Sequence, residues 1–237
     1  MTSALDRLGE VAVASGHRTL AEKAFGALHE AILTGRLRPG ERLPIEELAE
    51  VLDMSAMPIR EAVRRLDAAG LVENIPHRGA RVTELSIDDL EEVYEARLAL
   101  EPLTVRRAAE HFDEEKAAVA NSRLAALNDL PDDNSTGTWA AHTAFHFALY
   151  EAAGSNWLLR LIRPLWETSE RYRLAAPVKR KLATRRGEHE LILQACIDHD
   201  GERAALALHD HLAMTANVVS NAMGGSDLFE PNGAFDS

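Results

Sequence analysis

The start and stop signals between Thr19 and Thr83 leave little freedom in how that stretch folds. Thr19-Leu-Ala-Glu22 has capping-box spacing, and Leu20, Ala24, Leu28 and Ile32 follow at helical intervals. Gly35 and then Pro39-Gly40 end that helix. A second short helix is predicted over about residues 45–52. After the turn at Asp53-Met54, Ser55 is placed to cap a third helix that runs to about Ala69. Pro58 falls in its first turn, where a missing N–H costs little. Ile59, Ala62, Val63 and Leu66 form its apolar stripe, which turns Arg60 and Arg64 outward. Gly70 stops it. Residues 71–75 and 80–83 are predicted strands, joined across Pro76-His77-Arg78-Gly79.

Helix, helix, tight turn, helix, hairpin is the order of a winged helix-turn-helix, whose third helix is sized for the DNA major groove. Its arginines then reach guanine edges or phosphates, and the hairpin tip lies against the backbone or minor groove. The plain alternative is an ordinary solvated helix face. Charge distribution bears on the choice. The whole chain carries −12, yet residues 17–83 hold ten basic and ten acidic residues. Within residues 54–83, five arginines face three acidic residues, while residues 84–237 hold fifteen basic and twenty-six acidic. A locally basic head on an acidic body suits a small DNA-binding module attached to a larger domain.

Past Thr83 every segment has helical periodicity. Helices are predicted over about 86–110, 114–127, 138–153, 157–174, 179–199 and 201–222, with Ser86-Ile-Asp-Asp89 capping the first. The expected fold is mainly α: a winged helix-turn-helix of three helices and a β-hairpin over residues 17–83, then an all-α bundle of about six helices over 84–222. Residues 223–237, polar and glycine-containing, are expected to be a disordered tail. A single cysteine, Cys196, excludes an intramolecular disulfide and a cysteine-built zinc site. No apolar run approaches the ~20 residues of a membrane helix, and residues 1–16 lack a basic start followed by an apolar stretch. A cytoplasmic protein with no membrane association is expected.

Four histidines fall on inward stripes of the body. His142 and His146 lie one turn apart with Trp139, Phe145 and Leu149; His189 lines up with Leu182, Ile192, Leu193 and Cys196; His211 lies with Leu208, Leu212, Thr215 and Val218. Burial disfavours the charged imidazolium, and neutral imidazole is the form that binds metal. An i, i+4 pair lets one helix present two ligands to one ion, so the pattern fits either a metal site or a satisfied histidine core. Arg97 falls on the stripe Val93, Ala96, Leu100, Leu103. A guanidinium on an inward face needs a partner, either Glu101 one turn on or an anionic ligand.

The residues resemble a known family. Ile32-Leu-Thr-Gly-Arg-Leu-Arg-Pro-Gly-Glu-Arg-Leu43, Glu47-Leu-Ala49, Pro58-Ile-Arg-Glu-Ala62, Arg65-Leu66 and Ala69-Gly-Leu-Val72 resemble the GntR family of bacterial transcriptional regulators. Glu95-Ala-Arg-Leu-Ala-Leu-Glu101, Phe145-His146, Gly154-Ser-Asn156, Glu188-His189 and His211-Leu212 resemble the FCD ligand-binding domain of its FadR subfamily. The resemblance implies a homodimer that binds a pseudo-palindromic DNA operator and answers to a small carboxylate effector. Metal-binding members hold a divalent ion with one Asp and three His. The histidines match His146, His189 and His211, and His142 stands where the family has Asp. Zn, Ni and Mn are the candidate ions.

The resemblance also places the DNA contacts. Arg60 matches a DNA-contacting arginine, and His77-Arg78-Gly79 match the wing tip. The position after the capping Ser55, often arginine in the family, is Ala56 here, followed by Met57, so one guanine-reading contact is missing. The expected interface is Ser55, Ala56, Met57, Arg60, Arg64, His77, Arg78 and Gly79, and Arg97 is the expected effector anchor. A metabolite-responsive repressor follows rather than an enzyme. The rivals are a metal-dependent enzyme and a regulator with a purely structural histidine core. Against the enzyme, no inward Glu or Asp stands beside the histidines in sequence to act as general base.

Overall fold

A computed structural model of the chain describes residues 19–75, 79–131, 136–176 and 182–235. These fall into two compact units. One comprises the described residues up to Ser86 together with Glu170–Ala175; the other comprises Ile87–Ser169 and the described residues from Ala176 onward.

In the first unit, α1 (Leu20–Leu33), β1 (Arg42–Leu43), α2 (Ile45–Val51), α3 (Ala56–Ala68), β2 (Val72–Ile75) and β3 (Gly79–Val82) follow in order. The capping box at Thr19 forms as its spacing requires: the Thr19 hydroxyl accepts from Glu22 N–H, and the Glu22 carboxylate accepts from Thr19 N–H. Leu28, Ala31, Leu48, Ile59, Ala62, Leu66 and Val82 build a fully packed core, so the apolar stripe of α3 is buried as its periodicity dictates. Gly70, at φ +73, makes the left-handed turn after α3 that a side chain would resist. The hairpin pairs Val72 with Val82 and Ile75 with Gly79. A third strand, β1, joins β3 antiparallel to give the order β1-β3-β2. Two residues are too few for alternation to show, so this strand had no sequence signal.

The second unit contains α4 (Ile87–Glu110), α5 (Glu114–Asn128), α6 (Thr136–Glu151), the greater part of α7 (Asn156–Ala175), α8 (Leu182–Ile197) and α9 (Gly201–Ala222). Helix α4 packs on α9, α5 on α6, and α8 on α9. No helix among the described residues is long and apolar enough to cross a membrane. The predicted start of α8 at Lys179 lies outside the described residues.

Two expectations are corrected. On α4, Val93 and Arg97 are buried as expected, but Ala96 and Leu100 are only half-buried and Leu103 is 53 % exposed, and the inward face runs instead through Leu90, Tyr94, Glu101, Thr104, Val105 and Ala108. Arg97 and Glu101 satisfy each other's charge, which lets a polar pair occupy the inward face. Nor do the described residues after α9 lie loose. Asn217 Oδ1 accepts from Leu228 and Phe229 N–H while its Nδ2 donates to Phe229 O. Asp210 accepts from Asn232 and Ala234 N–H. Two buried polar side chains seven residues apart on α9 thus hold the backbone of the segment along the helix, in place of the disordered tail expected from composition.

Candidate functional site

Helix α6 presents His142 and His146, α8 presents His189 and α9 presents His211. All four are buried. One nitrogen from each lies within 4.8 Å of the others, so three helices converge their imidazoles on one point. Ring centroids are 4.5 Å apart for His142/His146 and 4.8 Å for His189/His211. Trp166 of α7 stacks on His142 at 5.3 Å and is held by its indole N–H on Thr143 Oγ1.

Two of the rings have their outer nitrogen occupied. His211 Nδ1 lies 2.8 Å from Glu188 Oε2. His146 Nδ1 lies 3.3 Å from the Tyr150 hydroxyl, which itself donates to Glu101 Oε2 at 2.6 Å. A carboxylate or committed hydroxyl on Nδ1 takes the ring's proton there and leaves Nε2 bare. Such a nitrogen on His146 then faces His189 Nε2 at 3.2 Å, a contact that needs a proton or a cation between two lone pairs. Four imidazole nitrogens at this spacing fit a divalent cation by donor type and by number.

Arg97 takes the first of its two alternatives. Its Nε and Nη2 donate to Glu101 at 2.6 and 3.2 Å, and its Nη1 to Ser169 Oγ at 2.8 Å. Burial opposes the guanidinium charge, but Glu101 and Tyr94 more than offset it and the net shift is upward. Burial also raises the Tyr150 hydroxyl well above its ordinary value, aided by Glu101, so it stays a neutral O–H donor. Burial likewise pushes the Cys196 thiol up to about 12, which makes it an inert part of the core.

Sequence spacing missed Glu188. It is 2 % exposed and points inward, contrary to the expectation that no carboxylate stands beside the histidines. Its partner His211 is on another helix, so only packing reveals the pair. Its hydrogen bond to His211 makes it an orienting group for that ring. Tyr150 was legible in principle, four residues beyond His146, yet it looks like one more core aromatic until its hydroxyl is placed.

In the first unit, Met57, Arg60 and Arg64 are exposed on one face of α3. Arg60 pairs with Glu46 at 2.9 Å and Arg64 with Glu61 at 2.7 Å, both well exposed. Such exposed pairs are weak and yield readily to a phosphate or a base edge. Ser55 occupies the N-cap position of α3 without a side-chain capping bond, although its hydroxyl was expected to cap. Ala56 opens the helix. Gly79, at φ +79, opens β3, while His77 and Arg78 lie outside the described residues.

Comparison with known proteins agrees with this architecture. Residues 20–82 match the bacterial regulatory proteins of the gntR family, and residues 92–214 match the FCD domain. The HTH-type transcriptional regulator BphR of Paraburkholderia xenovorans (strain LB400) is 33 % identical over 210 residues, covering 85 % of this chain and 86 % of BphR. The HTH-type transcriptional repressor GlaR of Escherichia coli (strain K12) is 26 % identical, covering 84 % and 95 %. Among solved structures, E. coli McbR/YncC superposes with a TM-score of 0.73 over 87 % of this chain and all of that one, at 24 % identity, which speaks for the fold. The winged head, the helical body and these matches together place the chain in the GntR family with an FCD domain, as a DNA-binding transcriptional regulator rather than an enzyme.

Proposed function

We propose that this regulator is a metabolite-responsive repressor. Its head (residues 17–83) reads DNA, and its helical body (84–222) binds a divalent metal and a small carboxylate effector. The observation that carries the metal part is the convergence of four buried imidazoles from three helices, two of them oriented from outside. His142, His146, His189 and His211 would hold the ion. An all-imidazole set suits Zn or Ni better than Mn, which favours oxygen ligands. A bound ion supplies Lewis acidity that draws a carboxylate. The charge of Arg97 is held by Glu101, so a carboxylate that reaches it competes with Glu101 for the guanidinium.

The DNA part rests on Arg60 and Arg64, exposed on one face of α3, with Ser55, Ala56 and Met57 at its start and His77, Arg78 and Gly79 at the wing. Two heads of a homodimer reading a pseudo-palindromic operator would act in the cytoplasm, where the operator is. The effector shifts DNA affinity only by as much as it prefers one arrangement of the heads. Repression rather than activation follows the example of GlaR, named a repressor.

The test is bound metal per chain by elemental mass spectrometry on untagged protein, beside His146→Ala and His189→Ala, with footprinting on DNA upstream of candidate genes. Near-stoichiometric metal that both variants lose supports the site. A metal-free wild type that cannot be reloaded overturns it and leaves the histidine core structural. Absence of a protected two-fold site overturns the DNA part.

A further inference from the structure

We infer that Tyr150 and Glu101, anchored by Arg97, are positioning residues of the metal centre, holding His146 in the tautomer that turns a bare Nε2 toward His189. The inference rests on the metal reading above and adds to it a second role for the ion pair on α4.

The proton inventory along this buried chain favours one arrangement. Arg97 has only donors and spends two of them on Glu101 and one on Ser169, whose hydroxyl in turn donates to Trp166 O at 2.7 Å. Glu101 accepts from the guanidinium through both of its oxygens. Its Oε2 also receives the single proton of the Tyr150 hydroxyl at 2.6 Å. With that proton committed, the Tyr150 oxygen can only accept from His146, 3.3 Å away. The alternative, with Tyr150 donating to His146, gives up a short charge-assisted bond for a long neutral one. His146 must then carry its proton on Nδ1, since a bare Nδ1 would set two lone pairs against each other. The bare Nε2 is the nitrogen that lies 3.2 Å from His189 Nε2.

The four members of the chain are among the most buried polar groups of the unit: Arg97 is 3 % exposed, and Glu101, Tyr150 and His146 are 0 %. Bulk solvent does not reach these groups, so their partners weigh heavily in setting the direction of each bond. Glu188 does the same for His211 from α8. Arg97 thus acts through Glu101 and Tyr150 on a ligand three hydrogen bonds away.

The test uses the full chain, with Zn²⁺ alone as probe, titrated against a chromogenic chelator. Co²⁺ substitution gives a visible spectrum, and ¹⁵N NMR of the metal-free protein reads the His146 tautomer. Tyr150→Phe is expected to keep one ion per chain, to weaken Zn²⁺ binding by about 10–100-fold and to alter the Co²⁺ bands. It should also release His146 from a pure Nδ1–H tautomer. Glu101→Gln should do likewise, and if it fails to fold, Tyr150→Phe decides. Loss of metal in His146→Ala with full affinity in Tyr150→Phe overturns the positioning role alone. An Nε2–H tautomer in wild type overturns it as well. Unchanged metal binding in His146→Ala overturns the metal reading and the inference with it.

Discussion

Glu188 Oε2 lies 2.8 Å from His211 Nδ1, with both side chains almost wholly shielded from solvent. The carboxylate fixes the ring's orientation and leaves Nε2 facing the other three histidines. Glu188→Ala is expected to weaken Zn²⁺ binding by about 10–100-fold, measured by chelator competition. Glu188→Gln should weaken it less, because its amide oxygen still accepts while its charge is gone. Equal losses in the two variants would count against the orienting role.

Arg60 on α3 carries the operator prediction. Arg60→Ala should lose about 1–3 kcal/mol of operator binding, roughly ten- to hundredfold, with metal content unchanged. Glu46→Gln should strengthen DNA binding slightly, since the exposed Arg60–Glu46 pair no longer has to open. Titrations at several salt concentrations separate a base contact from a phosphate contact, because only the latter lowers the salt slope. DNA binding unaffected by Arg60→Ala would falsify the assignment of α3 as the recognition helix.

Asn217 holds the segment that follows α9 through three hydrogen bonds. Asn217→Ala is expected to cost about 1–3 kcal/mol, the penalty for leaving polar groups without partners. Hydrogen exchange at the Leu228 and Phe229 amides should speed up well before the bundle amides respond. Unchanged protection at these two amides would show that the segment is held by something else.

Cys196 should be inert. With its thiol pushed up to about 12, the thiolate is scarce at pH 8, and the side chain is 0 % exposed. Native protein is expected to give no reaction with a disulfide-exchange reagent at pH 8 and one equivalent after denaturation. Because the folded value lies above the unfolded one, the thiol's contribution to stability is full below about pH 9. It fades as pH rises toward 12.

Much of the architecture was legible because its signals are local. The capping box at Thr19, the stop at Gly70 and the inward periodicity of His142, His146, His189 and His211 each depend on neighbours within a turn or two. Periodicity held for Val93 and Arg97 on α4 but failed at Leu103, which is exposed, while the buried face continues through Glu101 and Thr104. Residue type predicts burial only for groups that cannot cancel their own charge. Composition failed on the segment after α9 for a similar reason. Its polar residues look solvated until Asp210 and Asn217 are seen to bind its backbone.

The sequence by itself determined the helices, the winged head, the outward arginines of α3 and the inward direction of the four histidines. All of these follow from chain periodicity and caps. Tertiary structure alone decided that three separate helices bring those imidazoles within 4.8 Å, that Glu188 faces His211, and that Tyr150 spends its proton on Glu101. Hydrogen bonds between helices depend on crossing geometry and on which donor is already committed, and neither quantity is written in the spacing of residues along a chain.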